Sequence, residues 1–462
     1  MSTLNVDKVD PSTGTALEIG SSGDTVTIPS GATLTLTSAT LNLPTTITST
    51  TEVKTNKISP ATGVAFALGD SGDTFTVPSG ATIVNSGTAT GFGITSASFL
   101  PVAQPLIINA DMAIAQRGTS STGISSSSYA TCDRWQQQMG GIGEYTITQE
   151  ALTSGNAFAA GFNNAWRIDC TTADASPGAS DYLLLRYDPE GQDIQVFKKG
   201  TANAETYTLA FWVKSNKTGV GQVNLRDIDN SRLCSATYTI SSGDTWEHKV
   251  LNFAADTTGH INDDNTSSVA IEFWLDSGSN YNSGTAPTAW EANADANRDA
   301  SGALAIADNT ANDWAITGVQ WEVGTYTSAD LPPFRYETYG DNYYRCRRYL
   351  QTLAANESSG DLGSGYLCMG QAYTTASIMG VIRYSPVMRS QPSLKVVMGT
   401  NYMYSLGGGA EDQSDGFVVY STQTNKALSW KMDSNVTAAI QGMAASIATS
   451  NAAAYIASDA EL

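Results

Sequence analysis

Two stretches of the chain are nearly the same word: SGDTVTIPSGAT at residues 22–33 and SGDTFTVPSGAT at residues 71–82. Ten of twelve positions are identical, and the two differences, Val26 against Phe75 and Ile28 against Val77, exchange one apolar side chain for another. The likeness extends upstream, where Lys8, Val9, Pro11, Gly14, Leu17, Ile19 and Gly20 answer to Lys57, Ile58, Pro60, Gly63, Phe66, Leu68 and Gly69. The repeat unit is therefore 7–33 and 56–82. Within it, Thr25-Val26-Thr27-Ile28 alternates polar and apolar at period two before Pro29-Ser30-Gly31 turns the chain, which is the pattern of a strand. The apolar face is only two or three side chains wide. One copy cannot bury enough area to offset an ordering entropy of roughly 1–2 kcal/mol per residue. Two copies are also fewer than the about three that a self-sufficient solenoid needs.

The missing core is expected from two further copies of the same chain meeting on a threefold axis. Residues 1–100 then read as a trimeric β-structured shaft, with Val26, Ile28, Leu34, Phe75, Val77 and Ile83 in its core. The alternative is a Thr/Ser-rich linker, against which the regular apolar spacing weighs.

At 462 residues the chain exceeds what one hydrophobic core supports, and several structural units are expected. Charged residues are only 15% and glycines number 42, a balance that favours short strands and turns over helices, so the class is all-β. Beyond a boundary near Leu100, residues 101–340 carry eight of the nine tryptophans. Strand patterns recur at 144–149, 165–170, 182–186, 205–214, 221–227, 236–240, 246–253, 268–276 and 314–323, separated by Gly, Asn, Asp and Ser clusters. This predicts a two-sheet sandwich. A segment at 336–353 leads into a second, smaller β-sandwich at 341–462, in which the Ala/Ser-rich stretch 436–450 reads as a helix.

The formal charge of −20, with no run of Lys or Arg, argues against nucleic acid and anionic lipid as partners. Five widely spaced cysteines include no C-x-x-C pair, so neither a disulfide framework nor a zinc site is signalled. No basic start with an apolar run and no stretch of 18 apolar residues occurs; the expectation is a soluble chain made in the cytoplasm without membrane insertion.

There are only two histidines, His248 and His260, and neither H-E-x-x-H nor G-x-S-x-G, which counts against common metalloproteases and serine hydrolases. Among 44 acids, spacing selects no glycosidase pair, and no catalytic residue is assigned. No cofactor is expected apart from Ca2+, for which Asp256, Asp263 and Asp264 in DTTGHINDDNTSS offer hard oxygen donors; the competing reading is a solvated turn. Trp212 and Trp274 lie in strand patterns and read as core. Tyr281 and Trp290 sit in a long polar loop beside Asn280 and Asn282, where a ring can stack on a sugar while amides bind its hydroxyls. Alternatively these rings anchor the loop or pack on a neighbouring protomer.

LIINADMAIAQRGTS followed by YATCDRW, with Asn109, Gln116-Arg117-Gly118 and Asp133-Arg134-Trp135, resembles the opening of a β-sandwich module of bacteriophage tail-fibre and other virion adhesion proteins. YTLAFWVKSNKTG, TWEHKVLNFAADTTG and WAITGVQWEVGTYTSADLPPFRYETYGDNYYRCRRYL are similar to its inner strands and exit, and the tail from Tyr366 resembles the β-domain that often follows. The resemblance covers about three quarters of the chain. It implies a homotrimeric virion fibre whose N-terminal region meets phage tail or adaptor proteins, and a sandwich similar in build to carbohydrate-binding jelly rolls. It implies a receptor-binding protein that attaches to host surface glycan without cleaving it. The alternatives are a tailspike-like polysaccharide depolymerase and a purely structural collar, capsid or baseplate fibre. The family supplies no sugar-binding or catalytic motif that transfers residue by residue.

Overall fold

The computed structural model describes residues 104–355, 366–407, 410–451 and 453–462, together with Val9, Ile19, Thr25, Thr27, Ile28 and Thr33. By its contacts the chain divides into two compact units, Met1–Gly91 and Phe92–Leu462. In the first, Val9, Ile19 and Ile28 are exposed in the single chain. The other shaft-core positions, Val26, Leu34, Phe75, Val77 and Ile83, lie outside the described residues, as does the rest of the repeat.

The second unit is predominantly β. Its first part holds a short helix, α1 (Asn156–Ala159), and the strands β1 (Ser120–Ile124), β2 (Trp135–Gly140), β3 (Glu144–Ala151), β4 (Asn164–Thr172), β5 (Tyr182–Tyr187), β6 (Tyr207–Ser215), β7 (Gly219–Asp227), β8 (Arg232–Ile240), β9 (Glu247–Phe253), β10 (Val269–Ser277), β11 (Glu291–Ala292) and β12 (Asp313–Val323). They form two six-stranded sheets, ordered β1-β3-β4-β12-β6-β9 and β11-β8-β7-β10-β5-β2. Both sheets supply one core, with Tyr145, Ile147, Trp166, Leu209 and Phe211 from the first and Leu183, Leu185, Val223, Ile271 and Phe273 from the second. All nine expected strands are present, at slightly different ends. The expectation passed over β1, β2 and the two-residue β11.

Strand β10 shows why the second sheet is unusual. Ile271, Phe273 and Leu275 face the shared core, as alternation requires. Glu272 and Trp274 face the other way and are buried as well, whereas past a bulge Asp276 pairs with the core-facing Leu183 and accepts from the Ala307 N–H. The cover is the loop 278–299, which includes a short helix, α2 (Ser279–Asn282). Asn224 and Gln222 of β7 donate to the carbonyls of Arg298 (2.7 Å) and Asn297 (2.9 Å), tying the loop down. At its start, a Cβ on Gly278 would lie 1.9 Å from the Gly178 carbonyl oxygen, so only glycine fits there.

The second part begins with α3 (Tyr339–Cys346), capped by Thr338, whose side chain accepts from the Asp341 N–H. Then come β13 (Leu350–Ala355), β14 (Tyr366–Thr374), β15 (Ser377–Arg383), β16 (Ser393–Val397), β17 (Met403–Gly407), β18 (Ala410–Ser414), β19 (Val418–Gln423), β20 (Ala427–Met432), β21 (Ala444–Thr449) and β22 (Tyr455–Asp459). They form a three-stranded sheet, β13-β22-β16, and a seven-stranded one, β18-β17-β21-β14-β15-β20-β19. The expected helix over 436–450 is not formed. Residues 444–449 are β21, inserted between β14 and β17 with Ile447 buried, because pairing two flanking strands outweighs the helix propensity of alanine.

The residues that carry the family resemblance form the joint between these two parts. Asn109 is buried and donates to the Ile114 and Asp133 carbonyls, 2.9 Å each, while its own N–H donates to Asn342 Oδ1 of α3 at 3.0 Å. Gln116 donates to Asp133 Oδ2 (2.5 Å) and to the Leu350 carbonyl (2.9 Å). Arg117 pairs with Asp459 and Glu461 at 3.5 and 3.4 Å. Arg134 is fully buried: it bonds Glu461 and the Asp188 carbonyl, and its guanidinium lies 3.5 Å from the Tyr349 ring centre. Glu190 takes Arg348 and the Tyr349 hydroxyl, with its carboxyl held below the usual range, against burial, by those hydrogen bonds.

Candidate functional site

The loop aromatics do not converge on one site. Tyr281, on α2, packs 5.3 Å from Trp274 and 5.6 Å from Tyr182, with the Arg298 guanidinium over its ring. Asn280 donates to Ser180 Oγ and Asn282 to the Ser277 carbonyl, both at 2.9 Å. Trp290 belongs to another cluster: its indole N–H donates to the Ala254 carbonyl at 2.8 Å, and its ring lies 6.2 Å from Tyr207. Each ring anchors the loop at a different place. Trp274 is buried, as expected, whereas Trp212 is half-buried and sits on the outer face of the first sheet, 4.9 Å from the exposed His248.

The acidic triplet is likewise not gathered. Asp256 is buried between Arg232, at 2.8 and 3.2 Å, and Lys199, at 3.0 Å. Those bonds hold its carboxyl below the usual range against the penalty of burial. Asp264 accepts from the Thr266 N–H and hydroxyl, closing a turn. Among the described residues, no group of three or more His, Cys, Asp or Glu side chains is placed to hold a metal ion.

A cleft with the right chemistry for a ligand lies elsewhere, where β12 leaves its sheet. Trp321 and Val323 of β12, with Leu106, Val196, Tyr326 and Pro332, make an apolar floor and walls, and Gln104, Asp193, Glu322 and Arg335 line it with polar groups. Its volume is about 340 Å3, within the range of small-ligand pockets. Trp321 is held from beneath by Phe197 at 4.5 Å and Tyr207 at 6.1 Å, and its indole N–H has no partner among the described residues. Arg335 pairs with Glu322 at 2.9 Å, which presents a fixed donor and acceptor at the rim. Burial raises the Tyr326 hydroxyl, so it stays a neutral donor. A neighbouring cleft of about 420 Å3 shares Gln104, Leu106 and Asp193 and continues to Arg345, Arg348 and Tyr349. The sequence reading passed over this site; its available signal was Trp321 and Tyr326 within VQWEVGTYTSADLPPFR, an aromatic pair flanking a strand end.

No protein-family model matches the chain, and no curated protein matches it. Among solved structures it is similar to the enzymatically active domain of bacteriophage CBA120 tailspike protein 4, at 12% identity over 41% of this chain and 19% of that one, with a TM-score of 0.24. It is similar to a family 11 carbohydrate-binding module from Clostridium thermocellum, at 9% identity over 45% of this chain and 98% of the module, TM-score 0.22. It is also similar to modules of endo-1,4-beta-D-xylanase 10B from Clostridium thermocellum complexed with xylohexaose, at 10% identity over 46% and 30%, TM-score 0.22. The chain thus spans about a fifth of the tailspike structure and under a third of the xylanase, and each overlap is less than half of this chain.

Proposed function

We propose that this chain is a homotrimeric phage fibre protein that attaches a virion to host surface glycan without cleaving it. The observation that carries the glycan reading is the cleft at the end of β12. It offers the half-buried Tyr326 ring beside an apolar floor, and a paired arginine and carboxylate. A sugar ring needs those groups: an aromatic face for its C–H side, and fixed donors and acceptors for its hydroxyls. The repeats at 7–33 and 56–82 and the tail-fibre resemblance support the fibre and the trimer, with a jelly-roll-like sandwich as the glycan-bearing head. Three weak sites per fibre give strong attachment through effective concentration.

Three measurements test it. Light scattering of the full-length protein is expected to give three times the 48.6 kDa of one chain; the monomer mass would remove the shaft. On an array of bacterial surface glycans, binding is expected, and Tyr326→Ala is expected to weaken it about tenfold or more, a loss of about 1.4 kcal/mol. Polysaccharide incubated with the protein is expected to keep its chain length; shortening would move the reading to a depolymerase.

A further inference from the structure

Lys199 is 2% exposed and sits in a site with two carboxylates. Its Nζ contacts Asp227 Oδ2 directly and lies 3.0 Å from Asp256 Oδ2. The Trp290 ring covers it at 4.6 Å, and the Gly259 carbonyl accepts from it at 2.8 Å. Gly259, at φ +73°, lets the turn 256–260 close over the amine; a Cβ there would lie 3.0 Å from Nζ. Asp227 is also fully buried, and Asn230 holds it in place: the Asn230 N–H donates to Oδ1 at 3.0 Å, and its side-chain amide is shared between Oδ1 at 3.1 Å and Oδ2 at 3.0 Å. Arg232 completes the group by pairing with Asp256.

The four charges sum to zero. They would also sum to zero without Lys199 and Asp227, because Arg232 and Asp256 already neutralise each other. Keeping an ammonium and a carboxylate in a dry site costs desolvation energy that a neutral amide does not. Held in contact, an amine and a carboxyl react with effective molarities on the order of 10⁵–10⁸ M.

We propose that Lys199 and Asp227 condense to an intramolecular amide, with Asp256 as the proton carrier. The Lys199 ammonium gives a proton to Asp256, and the free amine attacks Cγ of Asp227, forming the C–N bond. The Asn230 N–H, directed at Oδ1, stabilises the negative charge that gathers there. The Cγ–Oδ2 bond then breaks, and that oxygen leaves as water, taking the proton held by Asp256 and one from the nitrogen. Ammonium plus carboxylate become amide plus one water, with no redox partner required. The product staples the turn after the Phe197 segment to the end of β7 and closes 199–227 into a covalent ring.

The test is the intact mass of the denatured full-length protein beside that of Lys199→Arg, which keeps the cation and cannot form this amide. The expected result is that the wild type is lighter than its sequence mass by one water and the variant is not, with any terminal trimming common to both. Tryptic digestion should leave the Lys199 bond uncut and give one branched peptide joining Lys199 to Asp227. A wild-type mass equal to the sequence mass, with the two residues in separate linear peptides, would overturn the proposal whether or not any variant folds. A deficit that persists in Asp256→Asn would overturn the role given to Asp256.

Discussion

Arg134→Ala is expected to lower the stability of the folded chain by about 3–5 kcal/mol, the cost of leaving a buried carboxylate without its counter-ion. The Glu461 side chain is 3% exposed, and its closest cation is the Arg134 guanidinium; Arg117, at 3.4 Å, is already shared with Asp133 and Asp459. The same substitution strips the Tyr349 and Tyr187 rings of the cation between them and leaves the Asp188 carbonyl without its donor. Thermal unfolding followed by near-UV circular dichroism measures the loss. Adding Glu461→Gln to Arg134→Met is expected to restore most of it, since no uncompensated charge remains. A single variant as stable as the wild type would show that the joint does not hold the two parts together.

Stability is also expected to fall as pH rises from about 5 to about 8, by roughly 2–4 kcal/mol from Asp276 alone. Burial pushes the Asp276 carboxyl up to about 7, against hydrogen bonds from the Ala307 and Ser277 N–H groups, and pushes Asp299 and Asp133 up to about 6 each. A carboxyl raised in the folded state binds its proton more tightly there than in the unfolded chain. Its contribution is therefore complete below about pH 4 and is lost as pH climbs through the folded value. Glu272 runs the other way: Arg298, Arg186 and Arg226 hold it low against burial, and the stability it supplies is lost only in stronger acid. The maximum should thus lie in mild acid. Asp276→Asn keeps an acceptor for the Ala307 N–H and should flatten the melting-temperature profile between pH 5 and 8. An unchanged slope would refute the assignment.

The strands of the sandwich were legible because their burial alternates with chemistry: apolar inward, Thr, Ser or charge outward. Strand β2 was missed because Gln137 occupies an inward position between Trp135 and Met139 and is satisfied by the Ser126 carbonyl and Ser128, a polar exception that hides the period. The packing of the loop aromatics was hidden for a different reason. Tyr281 and Trp290 have no apolar neighbours in sequence, and their real partners, Tyr182 and Trp274 for one, Tyr207 and Ala254 for the other, arrive only through the fold. The cleft draws on 104–106, 193–196 and 321–335, so no local window contains it. The Q-R-G and D-R-W words were recognised as a signature, but their work was hidden, because Glu461 and Tyr349 lie more than two hundred residues away.

The joint has a mechanical corollary. Between 105 and 117 the chain is bonded repeatedly to 342–352 and 459–461: the Pro105 carbonyl to Arg345, Asn109 and Asp111 to Asn342, Gln116 to Leu350, and Arg117 to Asp459 and Glu461. A pull applied at residue 104 against the C-terminal sheets passes through these short cross-links. The strands of the sandwich, though they lie between the two points along the chain, are out of the line of tension. The sandwich is carried like a pannier, and the load enters at Gln104 and Leu106, which also line its cleft.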